Sequence, residues 1–587
     1  MKKLFYAIAL FGVLSMSGCA LNQMVKLAKD QNLTVTPNPL EVHADSVSFE
    51  MSANLPVKML KKGKVYTLNT FYKYGDKEDK LEAIQFRSED YPNADTQQPK
   101  TSKTYTMAYD PAMNPGTLEI QGVASDPKNN KSKESPRMTV APGLITTSKL
   151  VQPVYYAAYA DHGYNNQEEL IPTKVDFFFD QGRSTLKYSE QRSERGQKLN
   201  AFIAAKNATR TVTITGTHSP EGAERINSKL AADRAAAIES YYRKQMRKYD
   251  YKGMADSINF ITKDVVQNWQ AFKDSLALYD GISSEEKSAY LDVVNGAGSF
   301  EEKEDQLQKL PTYKKVLKEL YPKLRLAKTE ILTVKEKKTD AEIAVLAKMI
   351  ADGSAPADTL SEEELMYAGS LTPSLKEKEA IYMAATKKSG SWNAHNNLGA
   401  VYVAMAMEGD NGAGDKAQAQ LEIAANKNAT AQVHANLASV ALMQGNAAKA
   451  HDHLMKASGL SGEDAQGVNG VKTSVQIMLA KYSEAVSSGS SAANTATNLF
   501  NKGLAQVLNK DYQNAITSFK EAASKDSNMG LAHYGAAVAS ARLSDEAGVI
   551  EHITAAGKAT PSLKGDALQD LEFAKYVSNA AFTSALK

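Results

Sequence analysis

Apolar and polar residues alternate in short runs from Leu33 to about Leu150. Leu40-Glu41-Val42, Val47-Ser48-Phe49-Glu50-Met51, Val65-Tyr66-Thr67-Leu68, Tyr105-Thr106-Met107 and Leu118-Glu119-Ile120 each carry the period of two of a half-buried strand. Pro37-Asn38-Pro39, Gly75-Asp76, Asp110-Pro111 and Asn114-Pro115-Gly116 punctuate these runs with turn chemistry. Short strands at this spacing predict a small β-sandwich over residues 33–150.

A mixed pattern follows over residues 171–335. Val175-Asp176-Phe177-Phe178-Phe179-Asp180 predicts a strand, and Ser189–Ala205 predicts a helix anchored by Leu199, Phe202 and Ile203. Thr211, Thr213 and Thr215 alternate with Val212, Ile214 and Gly216, a second strand. Ser219-Pro220 then reads as an N-cap followed by proline at the first helical position, with Glu221 in the first turn. Ile226, Leu230, Ala237 and Tyr241 form the apolar stripe of that helix, and Asn227 and Arg234 lie beside it. Residues 268–318 predict a helical insertion with Trp269, Phe272, Leu276 and Tyr279 as packing residues. Leu326–Val334 predicts a returning edge strand. The segment is therefore expected to be an α/β domain.

Asp352-Gly353-Ser354-Ala355-Pro356-Ala357-Asp358 reads as a linker, and residues 359–587 beyond it are alanine-rich and helical. Their spacing repeats: Ala417, Leu421 and Ala424 are matched by Ala450, Leu454 and Ala457, and by Ala515, Phe519 and Ala522. Leu398-Gly399, Leu437-Ala438 and Gly503 recur upstream of these triplets, while the stretch around Ala485 matches poorly. Small residues allow two helices to approach, and the large ones fill the gap between them.

With 587 residues the chain is too long for one core. Its 69 Lys+Arg balance 67 Asp+Glu, a net charge of +2, which argues against nucleic acid as a partner. No G-x-S-x-G, H-E-x-x-H or G-x-x-x-x-G-K-[ST] is present, so an enzyme is not expected, nor is a cofactor. His395, His434, His451, His453 and His533 all fall in the repeats without ligand spacing, and no metal site is expected.

Several resemblances extend this picture. Gly216, Gly222, Asn227, Leu230, Arg234 and Ala235 stand at the spacing of the OmpA-like, peptidoglycan-associated domain, and the THSPEG loop resembles the Bacteroidetes form of that family. Ser219 replaces the family's Asp and Ala231 its Ser. The resemblance implies that Arg234 grips a stem-peptide carboxylate, with Asn227, Ser219 and Glu221 around the ligand. The alternative is that Glu221 favours the helix start and Arg234 sits in a structural ion pair. The alanine-rich repeats resemble tetratricopeptide repeats, which implies a solenoid holding a protein or peptide partner. The N-terminal segment resembles an immunoglobulin-like sandwich.

A further resemblance lies at the N-terminus. Lys2-Lys3, the apolar Leu4–Leu14 run and Leu14-Ser15-Met16-Ser17-Gly18 before the lone Cys19 resemble a bacterial lipoprotein signal of residues 1–18. It implies lipidation of Cys19, with residues 19–32 as anchor and linker. Ala20 after Cys19, with no acidic cluster following, implies the periplasmic side of the outer membrane. Asp358-Thr359-Leu360 resembles a short O-glycosylation motif with Thr359 as acceptor. The expected protein is a non-enzymatic outer-membrane lipoprotein that tethers to peptidoglycan and scaffolds a partner. The alternative is an assembly or secretion adaptor whose OmpA-like fold has lost peptidoglycan binding.

Overall fold

The computed structural model describes residues 20–249, 258–265, 267–460 and 464–587. Cys19 and the 1–18 signal lie outside the described residues. The chain forms two compact units: one joins the chain up to Tyr164 with Asp340–Lys587, and the other is Asn165–Thr339. Among the described residues no helix is long and apolar enough to cross a membrane.

The N-terminal part of the first unit is β-rich. One sheet orders Asn32–Thr36, Ser46–Asn54, Leu40–His43 and Leu144–Ile145, with Lys100–Ala108 also on Ser46–Asn54. The other orders Lys77–Arg87, Val65–Tyr74, Gly116–Asp126 and Lys131–Glu134, with Met138–Ala141 also on Gly116–Asp126. The alternation seen in the sequence decides their faces. Val47, Phe49 and Met51 of one sheet and Leu68, Leu118 and Ile120 of the other enter a single hydrophobic cluster.

The C-terminal part is an all-helical stretch of paired helices, consistent with a tetratricopeptide-like solenoid. The pairs are Trp392–Met407 with Ala413–Lys427, Ala431–Met443 with Ala447–Ala457, Ala465–Met478 with Tyr482–Ser491, Ala496–Leu508 with Tyr512–Lys525, and Gly530–Arg542 with Glu546–Ala559. The recurring triplets sit on second helices, and all nine residues are buried. The poorly matched stretch around Ala485 is a complete pair.

The helical part begins at Asp340, ahead of the 352–358 stretch read as a linker. The helix Asp340–Ala351 buries Ile343, Ala347 and Ile350 in the same cluster as Leu365, Met366 and Ile381, so residues 352–358 are a surface loop between helices of one core. The sandwich and the repeats are likewise one unit and not two beads. Arg542 bonds Glu572 at 2.6 and 2.8 Å and Glu41 of the sandwich at 2.7 Å, and Tyr482 meets His43 at 2.7 Å.

The second unit holds a four-stranded sheet in the order Leu170–Phe178, Leu326–Val334, Thr209–Gly216 and Asn259–Asp264. The outermost pair, Thr209–Gly216 with Asn259–Asp264, is parallel and the others antiparallel. Leu326–Val334 is thus central and not the edge strand expected. Its alternating buried positions, Ala327, Thr329, Ile331 and Thr333, suit a strand paired on both sides. Val212, Ile214 and Ile331 share a core with Leu199 and Ile203 of Glu194–Ala204 and with Ile238 and Tyr242 of Glu224–Lys248. Gly216 permits this packing, because a Cβ there would stand 1.8 Å from the Ala231 carbonyl oxygen.

Two expectations for the helix Glu224–Lys248 are corrected. It starts five residues after Ser219, because the Ser219 hydroxyl is engaged by Arg325 and caps nothing. Its buried face carries Asn227, Ala231, Arg234, Ala235, Ile238 and Tyr241, while Ile226 is 56% exposed. Tyr241 is buried as the stripe predicts, but at the start of the helix hydropathy passed over the polar Asn227 and Arg234, which lie on the buried face.

Candidate functional site

A polar row crosses the first helices of the repeats. Asn396 and Asn397 lie on Trp392–Met407, Asn436 and Ser439 on Ala431–Met443, Ser474 on Ala465–Met478 and Asn501 on Ala496–Leu508. All six are at most 1% exposed. Buried amides and hydroxyls on packed helices require partners. The partner here is the chain's own segment 151–164.

The grip is on the main chain at every second residue. Asn501 accepts from the Gln152 N–H at 2.9 Å and donates to its carbonyl at 2.6 Å. The Ser474 hydroxyl accepts from the Val154 N–H at 3.3 Å. Ser439 accepts from the Tyr156 N–H and donates to its carbonyl, both at 2.9 Å. Asn436 does the same to Ala158 at 2.7 and 2.8 Å, and Asn397 to Ala160 at 2.7 and 3.1 Å. Asn396 adds a second donor to the Ala158 carbonyl at 3.0 Å. Each carboxamide thus acts as one rung of a β-ladder, reading an extended backbone with a period of two.

Side chains add selectivity. The Tyr156 hydroxyl donates to Asp464 at 2.5 Å. Its ring lies over Gly467, where a Cβ would stand 2.4 Å from the ring. Ala158 and Ala160 are buried, whereas Pro153 and Tyr159 are exposed. Neither residues 151–164 nor the asparagines are among the positions expected from the sequence to be functional. The signal was present as Asn397-Leu398-Gly399, Asn436-Leu437-Ala438 and Asn501-Lys502-Gly503, an asparagine two residues before each small packing residue.

A second feature of the repeats is titratable. His434 and His453 face each other across one helix pair with their Nδ1 atoms 3.2 Å apart, and His395 meets Gln420 at 2.7 Å in the preceding pair. Burial lowers both members of the histidine pair, His453 to about 4, with His434, Lys456 and Lys449 adding to the effect on His453 and Asp452 opposing it. A folded pKa below the unfolded value of about 6.5 means that the unfolded chain takes up protons first on acidification. The stabilisation from neutral His453 is therefore complete above pH 6.5 and declines toward pH 4. The expected loss is about 1–2 kcal/mol, allowing for a half-exposed ring. Denaturant melts between pH 4 and 7 check this, and His453→Gln should flatten the slope. Among the described residues no group of three or more His, Cys, Asp or Glu is arranged to hold a metal ion.

In the second unit, the predicted residues do converge around the loop 217–222, but on partners within the chain. Arg234 is 1% exposed; its Nε and two terminal nitrogens donate to the carbonyls of Arg183, Thr217 and Asp180 at 3.0, 2.7 and 3.2 Å. All three of its nitrogens are thus engaged on main-chain carbonyls inside the unit. Burial and the nearby Arg325, opposed by Glu221, bring it down to about 10, so it stays charged at neutral pH. Glu221 pairs instead with Arg325 at 2.8 Å, and Arg325 also donates to Ser219 at 2.8 Å. Asn227 donates to the Glu221 carbonyl at 3.0 Å and fixes the loop.

The helical insertion packs onto the same loop. Asn268 donates to the His218 carbonyl at 3.2 Å, Phe300 meets the His218 ring edge-on at 5.5 Å, and Glu301 accepts from the Glu224 N–H at 2.9 Å. Thr217, His218 and Ser219 are buried. Trp269 packs on Phe272 and Phe300 within the insertion's core. Behind them Glu304, buried and holding the hydroxyls of Tyr313 and Tyr321, is raised to about 7 by burial, with the Glu221 charge adding to it against the two tyrosine bonds.

The sequence matches no protein-family model and no curated protein. Among solved structures the chain is similar to one in the crystal structure of the APC/C hetero-tetramer Cut9-Hcn1, with a TM-score of 0.31 and 14% identity. The likeness covers 62% of this chain and 65% of that one, less than two thirds of its length.

Proposed function

We propose that the protein is a non-enzymatic scaffold of the cell envelope, lipid-anchored through Cys19 on the periplasmic side of the outer membrane, and that it works as an assembly adaptor. The observation that carries the reading is the row of asparagines and serines, whose chemistry is the holding of polypeptide main chain and not bond making. The OmpA-like resemblance of residues 171–335 is retained as a fold relationship. Its ligand positions favour the adaptor over the wall tether, because Ser219, Arg234 and one carboxylate oxygen of Glu221 already have partners inside the unit. Thr359, partly exposed in the loop ahead of Glu362–Leu371, is the proposed glycan acceptor.

The test is retention on purified sacculi of the full chain carrying Cys19→Ala. The adaptor reading expects this chain in the soluble fraction and unretained, with Ser219→Asp making no difference. Saturable retention would replace the adaptor by the peptidoglycan tether, and unchanged membrane fractionation would remove the lipid anchor.

A further inference from the structure

Resting on the reading of the repeats as a protein-binding surface, we propose that segment 151–164 is an exchangeable occupant of the polar row. The row is then a binding site for an extended segment of a partner protein with the pattern Tyr-x-small-x-small.

The pattern follows from what the site touches. Five alternate residues, Gln152, Val154, Tyr156, Ala158 and Ala160, are held by their N–H groups, and four of them by their carbonyls as well. Proline lacks the N–H and is excluded from these positions, whereas Pro153 between two of them is tolerated. Asp464 and Gly467 select a tyrosine at position 156, one by its hydroxyl and the other by the room it leaves for the ring. The buried Ala158 and Ala160 require small residues, and Tyr159 between them, 37% exposed, keeps one face toward Tyr382 at 6.4 Å.

Exchange is favoured by the chemistry of the row. An apolar floor stripped of its cover would expose hydrocarbon to water. A floor of carboxamides and hydroxyls instead trades each protein hydrogen bond for one to water. The same property makes the row a sequence-tolerant acceptor, because backbone is common to every partner. Segment 151–164 is also held by apolar contacts, with Val154, Tyr155, Tyr156 and Ala158 packing on the repeats, and a competing segment must supply the same. It ends where the chain leaves the first unit.

The experiment uses the full chain and a fluorescent peptide with the sequence of residues 150–164. Ala158→Pro with Ala160→Pro removes two gripped N–H groups from the resident segment and leaves the row intact. Fluorescence anisotropy should then show peptide uptake at least roughly tenfold tighter than by the wild type, the effect of about two lost hydrogen bonds. Adding Asn436→Ala and Asn501→Ala, or Gly467→Ala, should abolish uptake. A double-proline chain that keeps its helical signal and melt but takes up no peptide overturns the proposal, as does uptake that ignores the row substitutions.

Hydrogen exchange on the wild type gives a second check, free of any folding defect. The amides of Val154, Tyr156, Ala158 and Ala160 should exchange by local opening faster than those of Leu504 and Ala505 in the helix core. Equal protection makes the segment a permanent element and overturns the proposal. Sacculus retention bears on the adaptor reading alone, so the two ideas fail separately.

Discussion

Arg234→Ala is expected to destabilise the second unit by roughly 3–5 kcal/mol, because it removes a buried cation on which three main-chain carbonyls depend. Those carbonyls belong to two loops: Asp180 and Arg183 follow one strand, and Thr217 follows another. Without the guanidinium the Thr217 oxygen is left buried without this partner, the Asp180 oxygen keeps the Arg183 N–H, and the loops lose the group that holds them together. Arg234→Lys should recover only part of the loss, since one ammonium cannot span three acceptors held by a planar fork. The chain has two tryptophans, and Trp269 lies in the second unit. Emission of Trp269 in a Trp392→Phe background therefore reports this unit alone during a denaturant melt. A loss below 1 kcal/mol would show that Arg234 does not hold the loops.

Arg542→Ala should produce a comparable loss in the first unit, about 3–5 kcal/mol, by leaving Glu572 buried beside Glu41 with no cation. Glu572 also accepts from the Thr147 hydroxyl at 2.6 Å, so the cluster joins the sandwich to the end of the repeats. Burial raises Glu572 against the pull of Arg542. In the variant burial and the neighbouring carboxylates are opposed by the Thr147 bond without Arg542, Glu572 takes up a proton at low pH, and the measured loss grows as pH rises. Glu41 shows the opposite sign. The His43 bond and Arg542 outweigh burial and hold it at about 2, below the unfolded value of about 4.5. Its contribution is present above pH 4.5 and lost as pH falls toward 2, and Arg542→Ala should shrink that acid slope. Replacing Arg542 and Glu572 together by Met and Leu should restore most of the stability, and a double-mutant cycle measures the coupling.

Local periodicity settled much of this protein before any contact was known. The alternation in Val47-Ser48-Phe49-Glu50-Met51 reflects a strand with one face in a core, and that is a property of the pleat. Ala450, Leu454 and Ala457 are buried because residues three or four apart share a helix face. Only the tertiary structure decided which partners those faces meet. Burial of Asn227 and Arg234 on the helix Glu224–Lys248 requires carbonyls and loops brought in from distant strands, so hydropathy placed the stripe on Ile226 instead. Leu326–Val334 is central because strands more than 100 residues upstream flank it on both sides, and no residue within it records that. The closing of the loop 217–222 depends on Arg325, which lies 106 positions from Ser219. The polar row is the clearest case. Asn436 and Ala158 are 278 positions apart, and the bond between them engages only the backbone of the segment, which carries no side-chain signature. The sequence determined the elements and their buried faces through period and residue size, and long-range closure decided what each face holds.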